Sequence, residues 1–132
     1  MRCLLEPRAG TVTFQGIPAA AVSIRLHDNR VVSGTVWFAE SRFESATEPL
    51  TTRLGPPETR AEELRAGMGA TFTNAVLIWR NPGESAWLAE QFSGGIDTAS
   101  VSRLSREALE AWIRARDAET VNGARNLRSG YE

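Results

Sequence analysis

Two runs of alternating polarity on either side of a turn constrain this chain more than any other feature. Val22, Ile24 and Leu26 alternate with Ser23 and Arg25, a period of two that marks a strand with one buried face. His27-Asp28-Asn29-Arg30 follows, rich in turn formers. Then 31–38 is β-branched and aromatic, with Val32, Val36 and Phe38 on one parity. The two runs predict a hairpin. A two-residue loop at Asp28-Asn29 would set Ile24 opposite Ser33 and Val22 opposite Thr35. A three-residue loop from Asp28 to Arg30 pairs Leu26 with Val32, Ile24 with Gly34 and Val22 with Val36. The second register keeps one face apolar and is preferred. It also turns Trp37 to the other face, among Arg25, Ser33 and Thr35, where it is either covered by a helix or open for binding.

The remaining elements follow from local punctuation. Residues 11–14 read as a short strand closed by Gly16 and Pro18. Thr47 to Gly55 predicts a short helix: Thr47 as N-cap, Glu48 and Pro49 in the first turn, Gly55 at an αL C′ position and Pro56-Pro57 ending it. Leu50 and Leu54 would pack it on the sheet. Residues 58–69 are polar and interrupted by Gly67 and Gly69, which predicts a loop or a helical turn at 61–66. Residues 70–80 predict the most buried strand, because 75–79 is apolar on both parities. Asn81-Pro82-Gly83 is a turn, and 85–93 reads as its hairpin partner. Residues 98–104 predict an edge strand. Ser105 then caps a helix to about Ala118, with Leu109, Trp112 and Ile113 as its apolar stripe. The stretches 1–10 and 119–132 are expected to be loosely ordered. The order implies one α+β domain over 1–132. Its antiparallel sheet would have about five to six strands, with a short helix after the first hairpin and a C-terminal helix packed on one face.

A chain of 132 residues can bury a real core without staples, and 42% hydrophobic with 23% charged residues is ordinary for a globular domain. Fifteen basic residues, all arginine, oppose sixteen acidic ones. A net charge of −1 supplies no basic field for counterion release, so no nucleic-acid partner is expected. Cys3 is the only cysteine, which precludes an intramolecular disulfide. No stretch approaches the roughly 18 to 20 apolar residues of a membrane span. Residues 1–10 lack the apolar core of a signal peptide. The compartment is then cytoplasmic if Met1 is the native start, and periplasmic if a signal peptide has been removed ahead of it.

The search for chemistry returns mainly absences. There is no phosphate-binding glycine loop, no H-E-x-x-H, no C-x-x-C and no G-x-S-x-G. One His and one Cys cannot make an ordinary His/Cys metal site, and no cofactor is expected. His27 reads as a solvated turn residue and Cys3 as incidental or anchoring. Glu62-Glu63, and Glu90 with Asp97, could supply an acid/base pair, but sixteen acids offer such pairs by chance. Trp79 and Trp112 read as core. Trp37 and Trp87 are better placed for a recognition surface, where Trp and Arg are favoured anchors, although packing is the commoner fate of each. With Arg25, and with Arg60 and Arg65 in the 58–69 segment, they form the candidate binding set.

The run Phe43…Leu50-x-x-Arg53-Leu54-Gly55-Pro56-Pro57, then Asn74…Ile78-Trp79, is similar to a pattern in small, mostly exported bacterial proteins of unknown function. In these a hairpin precedes a helix end of the type L-x-x-x-hydrophobic-G-x-P, and a Trp-bearing strand follows. The likeness covers roughly residues 11–104. It implies an α+β fold and a periplasmic origin, and it brings no catalytic residues with it. Three functions fit these features. The first is a non-catalytic protein-binding or inhibitory module. The second is a small-ligand carrier with an apolar pocket between sheet and helix. The third is a carboxylate-based hydrolase.

Overall fold

The computed structural model describes residues 2–5, 13–65, 69–81, 85–93, 95–120 and 125–126. Six long strands form the body of one antiparallel sheet: β4 (Ala21–His27), β5 (Arg30–Ala39), β6 (Glu58–Arg65), β7 (Thr71–Arg80), β8 (Ser85–Glu90) and β9 (Thr98–Ser105). Short strands β1 (Arg2–Leu5) and β10 (Arg125–Asn126) add to its two edges, β10 in parallel with β6. The spatial order is β1-β4-β5-β9-β8-β7-β6-β10. A separate two-stranded ribbon joins β2 (Thr13–Phe14) to β3 (Ile17–Pro18). The helices are α1 (Phe43–Leu54), entered through a 3-10 turn at Glu40–Arg42, and α2 (Arg106–Thr120). Apart from β1, β10 and the end of α2, the two stretches expected to be loose lie outside the described residues, as does the Cys3 side chain.

The β4–β5 hairpin combines the two sequence alternatives. Its turn is the two-residue one, with Asp28 and Asn29 at φ 52° and 61°, the left-handed pair that matches strand twist. Its register is nevertheless the apolar-faced one, Val22↔Val36 and Ile24↔Gly34. A bulge reconciles them: Arg25 faces Ser33 and Leu26 faces Val31, so Val32 is the extra residue.

Helix α1 starts five residues earlier than its capping pattern suggests, with Arg42 as its N-cap. Thr47 is not the N-cap: it lies one turn inside, its hydroxyl donating to the Phe43 carbonyl at 3.0 Å. Phe43, Ala46, Thr47 and Leu50 make a buried stripe, and burying Phe43 and Leu50 (about 1.5–3 kcal/mol each) outweighs the hydrogen bond lost at Pro49. The helix stops at Gly55 as expected, but Gly55 is its C-cap and not an αL C′ residue: at φ 90° and ψ −177° it has a conformation open only to glycine at low cost. The Gly55 carbonyl accepts a bond from Trp79 Nε1 at 3.1 Å, tying the helix end to β7.

Two further expectations are corrected. Residues 58–65 are neither loop nor helix but strand β6, paired with β7 along its length. Strand β9 is not an edge: it is inserted between β5 and β8 and joins the two halves of the sheet. The helices also cover both faces. Helix α1 packs with Ile17, Phe38, Trp79, Ala89 and Val101 on one side. Helix α2 packs Leu109, Trp112 and Ile113 on Val76, Ile78, Ala86, Leu88 and Leu104 on the other. Ser105 caps α2 as expected, its hydroxyl accepting from the Ala108 amide at 3.1 Å.

Candidate functional site

On the α2 side the sheet changes character partway across. Cross-strand partners share a face, so the registers read out as three rungs. The first runs Arg25–Ser33–Leu104–Ala86, the second Ser23–Thr35–Ser102–Leu88, and the third Ala21–Trp37–Ser100–Glu90. Beneath α2 the first two rungs are apolar, with Ala86, Leu88 and Leu104, and the third ends in Glu90. Beyond it, across β9, β5 and β4, they carry hydroxyls. The flank of α2 that overhangs this region is small, presenting Ala108, Ala111 and Ala115 beside Trp112 and Arg116. Between that flank and the hydroxyl floor lies a groove of about 430 Å³, the size of a small-molecule site.

The floor is partly self-bonded. Thr35 Oγ1 and Ser102 Oγ lie 2.7 Å apart, and Trp37 Nε1 donates to Ser93 Oγ at 3.3 Å. Hydroxyls rotate and both donate and accept, so such a floor can re-pair around an entering ligand. Trp37 is 3% exposed: it is a packed residue at one end of the groove, not an exposed anchor.

Arg116 closes the same end. Its side chain is 12% exposed, and it donates to Glu62 and to Glu90 at 2.7 Å each, both carboxylates being nearly as buried as Leu88 beside them. Glu119 lies 3.8 Å away, and the guanidinium stacks 4.3 Å from the Trp112 ring centroid. Asn74 Nδ2 adds a bond to Glu62 at 3.0 Å. Burial pulls the Arg116 pKa down, but Glu90 and Glu62 more than offset it and leave the pKa above its ordinary value. The guanidinium is therefore a fixed charge that clamps α2 to β6 and β8. Arg60 with Asp117, and Arg80 with Glu58 and Glu110, extend the clamp along the helix.

Two acids do converge, but not the pairs the sequence offers. Glu63 is exposed on the opposite parity to Glu62, and Asp97 lies exposed in a turn, accepting from Thr98. Glu62 and Glu90 instead meet on Arg116, which holds both as ion-pair partners. Among the described residues the groove lining contains no His or Cys. His27 ends β4 at the hairpin turn, its side chain 80% exposed and 3.4 Å from Asp28. A serine nucleophile in the groove would therefore lack a histidine base. Among the described residues no group of three or more His, Cys, Asp or Glu is placed to hold a metal ion. No described helix is long and apolar enough to cross a membrane.

Of the five sequence candidates, the fold brings Arg25 and Trp37 together in the groove. Trp87 sits on the opposite face, partly buried between Arg53 and Arg103, each 5.7 Å from its ring centroid. Arg60 is engaged with Asp117, and Arg65 is exposed at the end of β6. Sequence reasoning missed Ser100 and Ser102, because only the central position of β9 sets them beside β5. It also missed Arg116, whose signal was available: it is the next position of the Leu109–Trp112 stripe, a charge where an apolar residue is due. No protein-family model, curated protein or solved structure matches this chain.

Proposed function

We propose that the chain is a non-catalytic binding module that receives a small polar ligand in the groove between α2 and the β4–β5–β9 face. One observation carries this reading: a hydroxyl-bearing floor lies under an alanine flank, leaving open volume where a sheet and helix would ordinarily interdigitate. The lining sets these hydroxyls beside apolar side chains, Leu88, Leu104 and Trp112 among them. A hydrolase is disfavoured because the buried acids are engaged by Arg116. A protein-binding surface would be favoured at the partly exposed Trp87 between two arginines on the far side.

A thermal-shift screen of a polar metabolite library tests the groove, run in parallel on wild type and on Ala111→Trp, which fills the groove from an exposed helix position. A true ligand at a hundred times its Kd should add about 2.7 kcal/mol and raise Tm by roughly 10 °C in wild type alone. A library with no hits, or hits that stabilise both proteins equally, would sink the groove as a site.

A further inference from the structure

We infer that the groove is built for an anion: a small hydroxylated carboxylate, its carboxylate on Arg25 and its hydroxyls over Ser23, Thr35 and Ser102. The inference rests on the groove reading and specifies its ligand. Among the described residues the groove lining contains two cations, and they differ in kind. Arg116, at the inner end, is surrounded by Glu62, Glu90 and Glu119. Arg25, at the outer corner, is exposed, and among the described residues no carboxylate pairs with it. The acid among the described lining residues, Glu90, sits two rungs away, where it shares Arg116 with Glu62. Among the described residues of the lining, Arg25 is therefore the cation that no carboxylate pairs with, and it stands at the mouth of the groove.

The remaining chemistry narrows the class. Rungs on one face are separated by about 7 Å along a strand, so a chain anchored at Arg25 crosses the second rung within the length of a hexose acid. That rung presents Ser23, Thr35 and Ser102, neutral groups that match alcohols and give no further charge for a second anionic group. A single guanidinium fork suits a planar carboxylate, whereas a phosphate dianion would call for more positive charge than the described lining residues supply.

Isothermal titration of the full chain with glucuronate, gluconate, glucose, glucitol and inorganic phosphate decides the matter. The two acids should bind roughly ten- to a hundredfold more tightly than their neutral counterparts. Arg25→Gln should erase that preference without moving Tm, Arg25→Lys should retain part of it, and added salt should weaken it. Equal affinity for acid and neutral sugar, or a preference that survives Arg25→Gln, overturns the anion assignment. The groove reading then still stands if Ala111→Trp blocks the binding. Phosphate binding as tightly as the acids overturns the carboxylate assignment. Binding of none of these probes overturns the inference outright, while the library screen judges the groove separately.

Discussion

Replacing Arg116 with methionine removes the guanidinium but keeps a side chain of similar reach. Glu62 and Glu90, with side chains 7% and 8% exposed, would be left facing each other without their shared cation. Breaking a buried pair from one side costs about 3–5 kcal/mol, mostly the penalty of uncompensated buried charge. Loss of the stacking on Trp112 adds about 0.5–1 kcal/mol. For a domain of this size the sum corresponds to a Tm lower by roughly 10–20 °C. The assay is urea unfolding at neutral pH, followed by tryptophan fluorescence and far-UV circular dichroism, with an unchanged m-value required for the comparison. In the wild type, a cation whose folded pKa is raised contributes stability that is fully present below its unfolded value and is lost only as pH rises beyond it, in strong alkali. Adding Glu62→Gln and Glu90→Gln to Arg116→Met should recover most of the loss. A single variant within about 1 kcal/mol of wild type at neutral pH would refute the clamp, since that is the range of a surface pair.

Trp37→Ala should cost about 3–5 kcal/mol in chemical denaturation, the mark of a packed aromatic; a near-neutral result would mean that the indole is not buried as described. Ser105→Ala should cost about 1 kcal/mol by removing the α2 cap, and an unchanged midpoint would show that another group satisfies the Ala108 amide. Asn29→Val should cost about 1–2 kcal/mol because Asn29 has φ 61°, whereas Asn29→Gly should be tolerated; equal stabilities would exclude the left-handed turn.

Much of the fold was legible where local chemistry and tertiary packing agree. The alternation of β4 and β5, the Ser105 cap and the Gly55 stop each read the same way in sequence and in space. Strand β6 was not legible, because E-T-R-A-E-E-L-R has helical composition. Its strand conformation comes from pairing with β7 and from the burial of Glu62 and Leu64, neither visible locally. The site was half legible for a related reason. Trp37, Arg25, Ser33 and Thr35 belong to one hairpin and share a parity, so their common face follows from the pattern alone. The serines of β9 reach that face only through strand order, which periodicity does not encode. Arg116 was masked by the habit of ending an apolar stripe at its last apolar residue.

The central place of β9 also governs how the molecule must assemble. Its pairings with β5 join residues roughly sixty to seventy positions apart, while the β4–β5 hairpin and the β6–β7–β8 meander are each built from near neighbours. During synthesis both parts can form before β9 emerges, yet β5 and β8 then each present an open row of backbone donors and acceptors. Closure is thus a late, slow event of high contact order, and the waiting edges are the molecule's exposure to self-association. A chain ending before Thr98 should aggregate by light scattering; a soluble, cooperatively unfolding fragment would show that β9 does not hold the halves together.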